Sequence, residues 1–139
     1  FLTKEEEEEV VEAIRLAEKN TSGEIRVHIE KETAIAPLER AMAVFHELKM
    51  TETKDRNGVI IYVAVKSKQF AIYGDKGIND VVESDFWDCT KDIMKNHFAK
   101  GENKLALVNG IDRAGEKLKA FFPFQDDDTD ELSNEISKG

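Results

Sequence analysis

Cysteine is nearly absent: Cys89 is the single thiol among 139 residues. It closes no intrachain disulfide, and Asp88 and Thr90 beside it offer no cation to activate it, so the sequence places it in the core. No apolar run approaches the roughly 20 residues of a membrane helix, and Phe1-Leu2-Thr3-Lys4 carries no secretory pattern. Direct membrane insertion is not expected, and the cytoplasm is the expected compartment. The start at Phe rather than Met leaves room for residues upstream. Positive charge is in deficit, 20 Lys and Arg against 29 Asp and Glu, and a net charge of −9 disfavours any grip on a phosphate backbone, so no nucleic-acid partner is expected. His28, His46 and His97 include no pair at a short metal-ligand spacing, and each reads as a structural histidine. Phosphatase nucleophile signatures are missing too. Cys89 opens no Cys-x5-Arg loop, and Asp126-Asp127-Asp128-Thr129-Asp130 fails the Asp-x-Asp-x-Thr/Val pattern and follows no strand. That run spaces acids like the first ligands of an EF-hand, but Glu131 stands where the glycine belongs and Ser137 where the bidentate glutamate belongs.

What is present suits one globular domain over 1–123, followed by an acidic, apolar-poor tail over 124–139 with little structure of its own. Thr3-Lys4-Glu5-Glu6 is a capping box opening a helix over about 4–20, with the acidic run Glu5 to Glu9 at its positive end. Glu24 to Glu30 alternates polar and apolar residues, the pattern of a strand with one apolar face. Pro37 opens a second helix with the stripe Leu38, Ala41, Met42, Phe45 and Leu48. The continuously apolar run Val59 to Val65 predicts a central strand paired in parallel with the first. Beyond Lys66-Ser67-Lys68 the chain returns antiparallel over Gln69 to Tyr73. Helices follow over Asp85 to Ala99, with Phe86, Cys89, Ile93 and Met94 inward, and over Lys104 to Phe121. The expected fold is α/β, a three-layer α/β/α sandwich around a small mixed sheet of three strands.

In that topology Ser22-Gly23-Glu24 leads into the first strand, Asp55-Arg56-Asn57-Gly58 into the second, and Gly74-Asp75-Lys76-Gly77 leaves the third, all at one end of the sheet. Asp80, Glu83 and Asp85 follow closely. Hard cations take six to eight oxygens from carboxylates, carbonyls and water, so Glu24, Asp55, Asp75, Asp80 and Asp85 are the candidate ligands of Ca2+ or another divalent cation. Gly23, Asn57, Gly58, Gly74 and Gly77 supply the turn backbone. Two bland roles compete: Asp85 caps its helix, and Asp75 suits a turn beside Gly74. Trp87, Tyr62 and Tyr73 read as packing residues.

Thr21-Ser22-Gly23-Glu24-Ile25, Arg56-Asn57-Gly58-Val59-Ile60-Ile61-Tyr62, Ile72-Tyr73-Gly74-Asp75-Lys76-Gly77-Ile78 and Phe98-Ala99-Lys100-Gly101, in that order, resemble the TPM domain family. The likeness is strongest to stand-alone soluble bacterial members, which share the start Thr21 to Glu30 and the ending Phe122-Pro123-Phe124-Gln125. The resemblance implies an α/β/α sandwich, divalent-cation binding (calcium especially) in some members, and the acid phosphatase activity proposed for the plant branch. The family's glycine turn maps onto Gly74 and Gly77, its Asn-Gly onto Asn57 and Gly58, and its aspartate before the third helix onto Asp85. Membrane-anchored members carry a signal peptide and a trailing transmembrane helix, and neither pattern occurs in these residues. Three readings follow. The first is a binding or regulatory module with a cation at the rim. The second is a metal-dependent phosphatase, using Asp75, Asp85 and Asp55 with Arg56 or Lys76 on phosphate. The third is an interaction module holding a protein partner at the rim or tail.

Overall fold

A computed structural model describes residues 1–124 and 135–139. Helix α1, Lys4–Glu18, opens on the expected capping box: the Glu6 amide donates to Thr3 Oγ1 at 3.1 Å and the Thr3 amide to Glu6 Oε1 at 3.0 Å. Strand β1, Glu24–Glu30, is followed by helix α2, Pro37–Glu47, whose first residue needs no amide donor. A short 3-10 turn at Met50–Glu52 leads into β2, Gly58–Ala64, and β3 returns over Gln69–Gly74. One turn of helix α3, Lys76–Asn79, then helices α4, Phe86–Ala99, and α5, Asn103–Phe121, complete the main body. Strand β4 is Ser137–Lys138.

The sheet order is β3-β2-β1-β4, with β1 parallel to β2 and β4, and β2 antiparallel to β3. Period-2 alternation gives each strand two faces. Ile25, Val27, Val59, Ile61, Val63 and Ile72 pack under α1, α4 and α5, whereas Ile60, Tyr62, Ala64 and Ala71 pack under α2. Two apolar clusters on opposite faces of one sheet are the expected α/β/α sandwich. Because β2 contributes to both, all seven of its residues are buried. β1 shows its apolar side to the larger cluster only, and Glu24, Arg26, His28 and Glu30 share its other face.

The structure differs from the sequence reading at several points. A fourth strand lies where an unstructured tail was expected. Residues 135–139 return to β1, with His28 opposite Ser137, and the Gly139 amide bonds to the Ile29 carbonyl at 3.1 Å. The segment 125–134, which carries the EF-hand-like acids, lies outside the described residues. Cys89 is exposed rather than in the core. The buried stripe of α4 is Phe86, Thr90 and Met94, one residue around the helix from the expected one. A polar residue takes the inner position because its hydroxyl is satisfied there: Thr90 Oγ1 donates to the Phe86 carbonyl and accepts from Arg113 Nε, at 2.9 and 2.8 Å. On α2, Ala41, Val44 and Phe45 face inward, while Leu38 and Met42, read as core, are 48% and 39% exposed.

Candidate functional site

The pairing of Glu24 with Gly58 and of Val59 with Gly74 sets the three expected turns at one end of the sheet. Within that rim the carboxylates have different fates. Asp75 is 1% exposed. Its Oδ2 accepts from Arg56 Nε at 2.7 Å and its Oδ1 from Arg56 Nη2 at 2.9 Å, a bidentate pair, and Oδ1 also accepts the Lys76 amide at 2.8 Å as the cap of α3. Arg56, assigned to phosphate in the hydrolase reading, is thus engaged by Asp75, which raises its pKa. Arg56 itself sits in the left-handed region at φ 51. The hairpin register is what joins them. With Val59 opposite Gly74, Asp75 falls opposite Gly58, two residues from Arg56, a proximity deducible from a correctly aligned hairpin.

Gly77 explains the tightness of this corner. A Cβ there would lie 2.0 Å from the Asp55 carbonyl oxygen and 2.6 Å from that of Arg56, and the Gly77 amide donates to the Arg56 carbonyl at 2.7 Å. Across the rim, Ser22 Oγ donates to Asp55 Oδ2 at 3.5 Å and accepts from Asn57 Nδ2 at 3.2 Å. Asn57 is buried, Asp55 exposed. Glu24 is 2% exposed, and its amide approaches the Asn57 carbonyl at 3.5 Å. Asp80 follows α3 and is exposed. Asp85 stands at the first position before α4 but makes no side-chain capping bond, so the capping role does not hold, and the Cys89 thiol reaches its Oδ2 at 3.9 Å. Among the described residues no three His, Cys, Asp or Glu side chains group closely enough to hold a metal ion. The rim does not bring the five expected carboxylates into one cluster.

Below the rim a cleft of about 450 Å³ runs along the outer edge of β3. Its floor is Phe70 to Gly74, with Pro37 and Leu38 of α2 on one side and Trp87, Asp88 and Lys91 of α4 on the other. Trp87 is held by Nε1 donating to Asn79 Oδ1 at 3.0 Å, and it packs so closely over Gly74 that a Cβ there would meet its ring at 2.6 Å. Leu38 and Trp87 were read as packing residues; their spacing in sequence carries no signal of a shared cleft, which exists only because α2 and α4 flank the same strand.

A second polar cluster lies on the α2 side of β1. Glu30 accepts from Arg40 Nε at 2.8 Å and Nη2 at 3.0 Å, and from the Tyr62 hydroxyl. Arg40 above all pulls the Glu30 pKa down to about 2, whereas burial, with Glu30 beside it, pushes Tyr62 up to about 12. His28 stacks on Tyr62 with ring centroids 6.0 Å apart, its Nε2 3.3 Å from Glu30 Oε1 and its Nδ1 3.0 Å from Ser137 Oγ. A neutral imidazole satisfies both when Nε2–H donates to Glu30 and Nδ1 accepts the Ser137 hydroxyl. The structural role expected of His28 is of this kind, though the residue is buried, not solvent-facing.

Comparison with solved structures sets this fold beside others. The BA42 protein of the psychrophilic bacterium Bizionia argentinensis is 60% identical, with all of this chain and 96% of that one covered and a TM-score of 0.91. The N-terminal domain of a protein from P. gingivalis is 18% identical over 86% of this chain and 77% of its own, at a TM-score of 0.69. That of the Corynebacterium glutamicum protein cg2496 is 11% identical over 84% and 74%, at 0.67, and these two likenesses concern the fold alone. No curated protein matches the chain. A family model described as the TPM domain matches residues 1–117, which includes α1 through most of α5 and every rim residue above: this chain belongs to the TPM domain family.

Proposed function

We propose that this chain is a binding module that takes a divalent cation, calcium in the first place, at the Asp55 side of the rim. One observation carries the reading. Asp55 is an exposed carboxylate with no ion pair among the described residues, and its Oδ2 lies 3.5 Å from the Ser22 hydroxyl, so two hard oxygens meet where the chain turns into β1 and β2. Asp80 and Asp85 are exposed as well, while Asp75 acts as the strut that fixes Arg56. Few and exposed ligands make the site weak, with a Kd of about 10⁻⁴ to 10⁻³ M. An exposed free thiol at Cys89 and, among the described residues, no helix long and apolar enough to cross a membrane suit a cytoplasmic setting.

Calcium added to the metal-free protein, followed by backbone amide shifts, tests this directly. Saturable shifts at Ser22 to Glu24 and Asp55 to Gly58, lost in Asp55→Asn, are expected. A flat response at roughly 10 mM calcium, ten times the weakest expected constant, sinks the reading. A metal-dependent hydrolase is the second reading, favoured by Lys76 and Lys91 at the mouth of the cleft. It requires that hydrolysis of a phosphate monoester depend on added metal and collapse in Asp55→Asn or Asp85→Asn; hydrolysis indifferent to both belongs to something else.

A further inference from the structure

The lining of the cleft along β3 divides into an apolar part and a charged part. Phe70, Ala71, Ile72 and Gly74 form the floor, and Leu38 and Trp87 bound it. Trp87 is pinned at its indole N–H by Asn79 and at its ring by Gly74, so this wall stands before anything binds. Around these residues are three cations and three anions, Arg56, Lys76 and Lys91 with Asp75, Asp80 and Asp88. Arg56 and Asp75 are joined to each other. The other four take part in no ion pair among the described residues. Each has an opposite charge at a spacing that allows one: Asp80 lies four residues after Lys76, and Lys91 three after Asp88. On α1, Glu12 and Arg15 at the latter spacing close to 2.5 Å. Two positive and two negative side chains thus line one cleft unjoined.

A balanced set of open charges selects a ligand by its charge pattern. A ligand of one sign meets two of the four and is repelled by the other two, while an apolar ligand that covers them strips their water and returns no partner. A ligand with one charge of each sign and an apolar body meets both sets and the floor as well. We propose that the cleft binds a small zwitterion of the dipeptide class, with apolar side chains, lying along β3 against Trp87. Length decides between a dipeptide and a free amino acid. Asp80 follows Asn79, the residue that holds the indole N–H, and Lys91 stands one turn of α4, about 6 Å, beyond Trp87. An extended dipeptide spans about 7 Å, whereas both charges of a free amino acid are carried on one Cα. The ammonium goes to Asp80 and the carboxylate to Lys91, and Lys76 and Asp88 keep the field at the mouth balanced. A volume of about 450 Å³ suits a ligand of this size. This binding needs no cation at the rim.

Trp87 is the only tryptophan of the chain, so its fluorescence reports on this cleft. The probe is the dipeptide leucyl-phenylalanine, added in EDTA to the intact protein near neutral pH. A saturable change in Trp87 emission is expected, with amide shifts confined to residues 70–74, Asp80 and the turn of α4 from Trp87 to Lys91. A Kd of about 1 mM or tighter is expected for a ligand of this size. Acetylating the probe's amine or amidating its carboxylate should each weaken binding about two- to fivefold, the effect of losing one partly solvated ion pair. Amidation should cost nothing further in Lys91→Gln, and acetylation nothing further in Asp80→Asn; both side chains are exposed, so neither substitution disturbs the core. A flat response at about 10 mM probe, ten times the weakest expected constant, overturns the proposal. So does a probe capped at both ends that binds as tightly as the free one, or a capping effect that persists unchanged in both variants. Because calcium is absent throughout, a failed calcium titration leaves this result standing, and the converse holds.

Discussion

At the scale of single residues, the sharpest consequence concerns Glu30. Its carboxylate is 9% exposed and accepts from Arg40 and Tyr62, with the His28 ring nitrogen beside it. Its pKa falls from 4.5 to about 2, so the folded state holds its proton less tightly than the unfolded chain. The stabilisation is therefore complete above pH 4.5 and is lost as pH falls from there toward about 2. Its size is on the order of 3 kcal/mol. Unfolding free energies from urea titrations at pH 7 and near pH 3 should fall further for the natural chain than for Glu30→Gln by about 2 kcal/mol, the part of that stabilisation lost by pH 3; equal falls would remove Glu30 from the account. Alternation along β1 shows in the sequence that His28 and Glu30 share a face. Arg40, Tyr62 and Ser137 are contributed by three other elements, and no local pattern points to them.

At the scale of elements, β4 is the part whose contribution is easiest to isolate. Its described contacts to β1 include the Gly139 amide on the Ile29 carbonyl and Ser137 Oγ on His28, and Lys138 Nζ reaches Glu7 at 2.7 Å on the surface. Deleting 137–139 should cost about 1 to 2 kcal/mol in urea unfolding, from the lost ladder and side-chain bonds. Glu7→Gln, which removes this surface ion pair and one first-turn acid of α1, should cost less than about 1 kcal/mol. A deletion without effect would mean that β4 does not hold β1. Helices α1, α2, α4 and α5 and the first three strands were legible because each carries its own periodicity, with start signals at Thr3 for α1 and Pro37 for α2, whereas the single turn α3 over Lys76–Asn79 was read only as a turn. Two residues of strand have no periodicity to read. The rotation of α4 that exposes Cys89 was hidden for a related reason: the inner position belongs to the polar Thr90, whose hydroxyl is satisfied by the Phe86 carbonyl and by Arg113 on a different helix.

At the scale of the whole molecule, the acidic excess acts on the compact state through self-repulsion. Raising NaCl from about 10 to 150 mM shortens the Debye length from roughly 30 to 8 Å, and the melting temperature at pH 7 should rise as a result. A fall would show that ion pairs such as Arg56 with Asp75 and Arg40 with Glu30 outweigh the net charge. Family and layer architecture were present in the sequence, since the motif order, the doubly buried β2 and the apolar helix faces all point to one sandwich. The three turns could also be placed at one sheet end, because strand direction and hairpin length suffice for that. Which carboxylate at that end stays open was decided only by the tertiary structure. Asp55, Asp75 and Asp85 look alike as turn residues in the sequence, but the register that sets Asp75 beside Arg56 closes one of them and leaves the others to solvent. Periodicity is a property of one segment and can be read along it. The partner of a charge, the cleft along β3 and the strand on β1 depend on how separate segments are aligned and packed, and they exist only once the chain has folded.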